Sequence, residues 1–444
     1  QYKYFAFEGV EKGSFIEYYY IQKKSPSYSG KRIYFQGLFE KNNLEFDLYA
    51  PQNLDFQFKS YNGLETVQKD TSSQNRLHWS LRLDNIEAMS KEEQAPFNAS
   101  RAFLIYKLDK NLINNSKITS YASVAKNITS FYYQTYDDAI QKELDKMIIA
   151  SGIKDDMSVD EKIRRIDFHI KSNLFYTKAY NESLEDMKSV LANKAVNERG
   201  AVKLFVAMLD KLEIEHEIVL TSDRMQLKFD NEFEANNFLQ EFLIYFPSTK
   251  KYLSPSAFAT RYGFPPPFFM DNYGLFIKNE NKGAISEVRF IEGLEANKSL
   301  DVMSLNISFD KEDLTINNIN LKRSINGYYA MNVQPFIDLI IPDRMDEFLN
   351  SFAKNIDENA EVVKRDVKNN KPELFGVKPM EISYEITSES FIEKAGNRYL
   401  FKLGDLIGPQ IEMYQEKKRK LPLETQFTRV YDRTIKVEIP KGYK

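Results

Sequence analysis

The chain has no cysteine and only three histidines, His78, His169 and His216, far apart in 444 residues. The missing thiol excludes a cysteine nucleophile, a Cys-ligated zinc, an iron–sulfur cluster and any disulfide framework. Three scattered imidazoles leave a Ser-His-Asp site few places to start and make a His-rich metal site unexpected. His169 lies in Ile166-Asp167-Phe168-His169-Ile170, where helical spacing makes it an aromatic at the edge of a core. His216 precedes a strand and is expected to be solvated. His78, beside Trp79, reads as structural. No cofactor is expected. The remaining chemistry-bearing types are carboxylates and aromatic rings. Phe264-Pro265-Pro266-Pro267-Phe268-Phe269-Met270 is apolar and stiff. It reads either as a crossover between domains or as a docking patch built from Phe264, Pro266, Phe268 and Phe269. Tyr18-Tyr19-Tyr20 and Tyr132-Tyr133 suit a covered sheet face, or stacking on sugars and peptides.

Composition narrows the function classes. Lys plus Arg is 61 and Asp plus Glu is 64, a net charge of -3. A protein that grips nucleic acid usually shows a basic excess, so that class is set aside, and Glu416-Lys417-Lys418-Arg419-Lys420 reads as a solvated run in a loop. Hydrophobic residues at 42% can fill ordinary cores, and the low Gly and Pro counts (17 and 15) exclude collagen-like and low-complexity states. Tyr 27 and Phe 33 against one Trp favour pleated, half-buried surfaces. No apolar run is long enough to span a bilayer as a helix. Gln1-Tyr2-Lys3-Tyr4-Phe5 lacks the pattern of a signal peptide, which has been removed or lies outside the chain if the protein uses one.

The elements that must position these residues fall in three parts, as the length suggests at about 150 residues per domain. Residues 1–118 read as an N-terminal β domain. Its expected strands are Phe15–Ile21, Arg32–Phe35, Leu44–Tyr49, His78–Leu83 and Ala102–Tyr106, most of them alternating with period 2. Residues 119–274 switch to helical spacing. Asp137–Ala150 carries Ile140, Leu144, Ile148 and Ile149 on one stripe. Ser158-Val159-Asp160-Glu161 has capping-box spacing ahead of Ile163, Ile166, Ile170 and Leu174. A third helix covers 198–212. Strands follow at Glu217–Leu220, Phe242–Phe246 and Tyr252–Leu253, an α+β order. Residues 275–444 read as a C-terminal β domain with a helical insertion at 346–366 and a last strand at 434–440.

The central third resembles the transglutaminase-like, papain-related core, and its flanks resemble the uncharacterised β domains that accompany such a core in envelope proteins of Bacteroidota and related bacteria. The likeness rests on Phe5–Tyr18, on Trp79–Glu93 with Pro96, and on the helices Ile163–Tyr176 and Ala201–Ile214. It continues through Leu253-Ser254-Pro255-Ser256, Arg261–Pro266, Lys420–Leu423 and Ile439–Tyr443. The resemblance implies a transglutaminase-like helix-plus-antiparallel-sheet core between two β-sandwich-like domains, a periplasmic or outer-membrane-associated location, and further β-sequence ahead of Gln1. Catalytic members place a Cys at the start of the third helix, a His on the following strands and an Asp to orient it. Carried over by position, these fall on Glu198, Glu241 (within a residue or two) and Ser254.

A carboxylate cannot perform thiol acyl transfer, so the expectation is a pseudoenzyme acting as a protein-binding or assembly module, with an envelope protein as partner. Glu198 has an ordinary role in this setting, since an acidic first turn complements the helix dipole. Alternatively, Glu198 and Glu241 face each other in the vestigial cleft, where one stays protonated or a cation sits between them, or Arg199 and Arg224 pair with them. Calcium is poorly supported because it takes six or more oxygens. Paired carboxylates also admit a glycan hydrolase. The aromatic surfaces admit a carbohydrate-binding protein without cleavage.

Overall fold

A computed structural model describes residues 6–23, 28–70, 75–280, 283–407, 414 and 416–443. The architecture is α+β, with a helix-plus-antiparallel-sheet core between two β domains.

The first β domain stacks two sheets. One has strand order Lys31–Tyr34, Phe103–Asn111, Leu54–Tyr61, and the other Lys41–Ala50, Leu77–Ile86, Gln68–Asp70. Alternating residues face inward, so Leu44, Phe46, Phe58 and Tyr106 close over buried Phe35, Leu64, Leu81 and Leu104. The expected strand Phe15–Ile21 does not form. Among the described residues no strand pairs with it, and Phe15, Tyr19 and Ile21 are more than 90% exposed. Alternation marks a segment able to pair, but a strand needs a hydrogen-bonded neighbour. Phe5 and Gln1–Tyr4 lie outside the described residues.

In the middle layer, helices Asp138–Ala150, Val159–Asn173 and Glu198–Lys211 fall where the spacing places them. Ser158 and Glu161 form both bonds of the capping box. Ile163, Ile166 and Ile170 are fully buried, each contributing about 1.5–3 kcal/mol. Helix Tyr121–Tyr132 was not among the expected elements. Its buried positions are Tyr121, Ala125, Thr129 and Tyr132, and three of these carry hydroxyls that blur the apolar stripe.

The middle sheet runs Lys251–Leu253, Glu241–Phe246, Glu217–Thr221, Asn272–Glu280, Gly283–Ile291, antiparallel throughout. An edge at 274 would cut the strand Asn272–Glu280, so the layer continues to Ile291. Ile244, Phe246 and Leu253 meet the helices on one face. Val219, Leu243, Tyr252 and Phe276 form the opposite face.

The C-terminal domain is a five-stranded sheet: Glu361–Lys368, Met380–Ser388, Asn317–Ile325, Leu300–Phe309, Val430–Val437. The last strand joins in parallel. The helical insertion is Pro342–Lys354, started by a proline at its first turn. The helix expected over 346–366 ends early, because Glu361–Lys368 alternates as a strand and pairs with Met380–Ser388. A segment ahead of the last strand clasps the layers. Glu92 accepts the amides of Lys420 and Leu421, and Arg224 reaches the Thr425 and Gln426 carbonyls and pairs with Glu424.

Candidate functional site

The helix Glu198–Lys211 runs through the middle layer with every residue from Gly200 to Leu209 buried. A helix covered on all sides fits the apolar series Val202, Leu204, Phe205, Val206, Met208 and Leu209. Its start is tightly specified. Asn197 caps it by accepting the Gly200 amide at 3.0 Å, and donates to Glu185 at 3.0 Å. Gly200 must be glycine, because a Cβ there would stand 1.9 Å from the Leu184 carbonyl oxygen. Glu198 is therefore held at the first helical position, where the dipole favours its negative form.

Glu241 opens the neighbouring strand opposite Thr221. The structure brings Glu198 and Glu241 into one cavity of about 540 Å³, whose wall includes Tyr176, Lys178, Tyr180, Arg199 and Ser256. Burial pushes the Glu198 carboxyl up, and the Ser256 hydroxyl, donating at 3.2 Å, together with Arg199 and Lys178, pulls it partly back. Among the described residues Glu241 has no hydrogen bond of that kind. Burial, then Glu198, then Asp223 push it up to about 7, against Lys178 alone. Near neutral pH Glu241 is thus close to its titration midpoint, beside a second carboxyl that is also raised. Such a pair can accept a cation, hydrogen-bond a hydroxyl-rich ligand, or exchange a proton. Among the described residues no group of three or more His, Asp or Glu is placed to hold a metal ion.

The other expected site residues lie elsewhere. Ser254 is fully buried and its hydroxyl reaches only the Phe242 carbonyl at 3.4 Å, so it orients nothing in the cleft. Arg199 is beside the pair and also contacts Glu185 at 3.6 Å. Arg224 is not a counter-ion of the cleft, because it is bound to the Glu424 segment and the Met270 carbonyl. His216 is buried rather than solvated, stacked on Tyr133 with Nδ1 2.8 Å from the Ile214 carbonyl. Its place just ahead of a strand gave no sign of the distant ring that covers it. His78 stacks on Tyr49 and bridges Asp47 and Asp70 in the first domain.

Phe264, Pro266, Phe268 and Phe269 are half-buried and do not form an exposed patch. Phe264 packs edge-on against Tyr328 and Phe375, and the Pro265 carbonyl accepts the Tyr328 hydroxyl at 2.7 Å. Phe268 lies under Arg224, and Phe269 lines the glutamate cavity. The stretch is a crossover that packs largely within the chain, with Phe269 left on the cavity wall. Tyr180, exposed on the cavity rim under Arg199, was missed. The segment 176–180 holds Tyr176, Lys178 and Tyr180 just after a helix end, which is the available signal.

A family described as a domain of unknown function with a solved structure (DUF3857) matches residues 1–90. A comparison with curated proteins finds no match. Three solved structures are similar. One is described as a candidate protease of Parabacteroides distasonis, 12% identical, with TM-score 0.42, covering 82% of this chain and 70% of that one. Another is a candidate cysteine protease of Cytophaga hutchinsonii, 10% identical, with TM-score 0.24, covering 57% and 88%. The third is a TGase, 12% identical, with TM-score 0.21, covering 36% and 42%. These likenesses are too distant to bear on the activity of the chain.

Proposed function

We propose that the chain is a non-catalytic, transglutaminase-like module of a bacterial cell envelope that binds a protein partner through the Glu198–Glu241 cleft. The observation that carries this reading is the residue at the start of the buried helix. Glu198 stands at the first position of that helix, where the resemblance would put a catalytic cysteine, and the chain contains no cysteine. No histidine lines the cavity, so the Ser256 hydroxyl, which donates to the Glu198 carboxyl, has no imidazole to activate it. What is left is recognition. Two carboxyl groups among tyrosines suit a lysine or arginine side chain of the partner. Native co-purification of the tagged protein from its own envelope, followed by mass spectrometry, tests this. A stoichiometric partner that survives moderate salt and weakens with Glu198→Gln plus Glu241→Gln supports it. Recovery of the protein alone overturns it.

A second reading has one observation in its favour. Two carboxyl groups share an open cleft, and Glu241, at about 7, is poised as an acid. In a glycan hydrolase, Glu241→Gln would reduce turnover of a cleaved oligosaccharide by at least about 100-fold. Absence of turnover across a panel of bacterial envelope glycans removes this reading.

A further inference from the structure

The larger cavity lies away from the glutamates, and no residue lines both. It has a volume of about 690 Å³ and sits between the second face of the middle sheet and the segment that leads into the C-terminal domain. That size falls within the range of small-molecule sites, which favour domain interfaces. Strand alternation explains the floor. Residues 243, 245, 252 and 276 point away from the helices, and Tyr245, Tyr252 and Phe276 pave the cavity with rings. Tyr245 and Tyr252 stand 4.9 Å apart, and the Arg289 guanidinium caps Phe276 at 3.9 Å.

The polar groups are of mixed kind. Among the described residues neither phenol hydroxyl has a protein partner, and neither oxygen is sealed from solvent. Burial first, with Glu292 contributing, holds both phenols protonated, so each can donate as well as accept. Glu292 and Glu295 line one wall, and Lys250 and Lys298 also reach the cavity. None of these four side chains has an ion-pair partner among the described residues. Arg164, Lys251 and Arg289 line the cavity too, but they are paired within the chain, the first two with Asp160 and the third with Glu217. An anionic ligand would meet the two unpaired glutamates, and a cationic one the two unpaired lysines. An apolar ligand would strip water from phenols and charges and return no hydrogen bond. A hydroxyl-rich ring satisfies all of them, because every hydroxyl both donates and accepts while its C–H face rests on aromatic carbon.

We propose that this interdomain cavity is a binding site for a neutral saccharide of one or two rings, independent of the Glu198–Glu241 cleft. Saturation-transfer NMR on the intact chain with cellobiose, maltose and the N,N′-diacetylated glucosamine disaccharide tests it. At least one probe is expected to show transfer. Tyr245→Phe with Tyr252→Phe deletes two hydroxyls without opening a void, and is expected to weaken that probe by about 10-fold or more. Unchanged thermal melting shows that this variant is folded, and Lys298→Ala is a second variant outside the floor, expected to weaken binding by a few-fold. Binding is expected to be retained in Glu241→Gln. Three results overturn the proposal: transfer from none of the probes, transfer undiminished in the double phenylalanine variant, or loss in Glu241→Gln alone, which would move the ligand to the cleft.

Discussion

Two regions of the molecule take carboxyl groups out of water, one fully and the other partly, and treat them in opposite ways. In the C-terminal sheet, Asp301 is 1% exposed and held by two arginines. Arg323 donates to both of its oxygens at 2.8 Å, and Arg433 adds a bond at 2.6 Å. Burial pushes Asp301 up, but these bonds and charges outweigh it and hold the carboxyl below its usual range. In the middle layer, Glu198 and Glu241 are both pushed up, and among the described residues no arginine is bonded to either. A buried acid that serves the fold is given its counter-charge within the fold. The cleft leaves its acids short of one, which costs stability and leaves interaction capacity for something outside the chain.

The largest expected effect is on the paired side of this contrast. Asp301→Asn leaves Arg323 and Arg433 without their shared partner and is expected to cost about 3–5 kcal/mol, read by denaturant unfolding of the C-terminal domain. A loss below about 1 kcal/mol would dissolve the contrast. The pH dependences have opposite signs. Asp301, depressed when folded, contributes stability above its unfolded value and loses it in acid as pH falls through the folded value. Glu241 is raised, so between the ordinary glutamate value of 4.5 and about 7 the folded state holds a proton that the unfolded state has released. Stability therefore falls as pH rises across that window and levels off above it.

Glu241→Gln removes that slope. Allowing for screening by water, it is expected to stabilise the protein at pH 8 by on the order of 1–2 kcal/mol, measured as the difference between melts at pH 5 and pH 8. A slope that survives the substitution would assign it to other groups. Glu198→Gln acts through its neighbour and lowers the titration midpoint of Glu241 below about 7, followed by carboxyl ¹³C NMR. An unmoved midpoint would show that the two acids do not sense each other. The smallest effect belongs to Ser256→Ala. Losing the bond to Glu198 costs about 0.5–1 kcal/mol and raises the Glu198 midpoint.

Much of the middle layer was legible because its signals are local. The capping box at Ser158, the apolar series on Ile163 and its successors, and the helix beginning at Glu198 each depend on neighbours within a turn or two. Segments whose state depends on distant partners were not legible. Phe15–Ile21 has the composition of a strand and no partner among the described residues. The loop after Ser222 has no periodicity, yet it delivers Phe229, Phe233 and Phe238 into a core shared with Phe103 and Ile105 of the first domain. His216 is expected to be solvated ahead of its strand, yet it is buried and stacked on Tyr133.

By itself the sequence determined that thiol chemistry is closed to this chain, because one missing residue type is decisive wherever the chain folds. It also determined the helices around Glu198, because helix formation is set by spacing and caps within reach of the backbone. Only the tertiary structure decided that Glu198 and Glu241 share a cavity while Ser254 turns away from it, and that Arg224 is committed to the Glu424 segment. It also decided that Tyr245 and Tyr252 floor a second cavity. The charge on a buried carboxyl follows from what removes its water and what stands beside it, and those atoms arrive from parts of the chain that no local pattern connects.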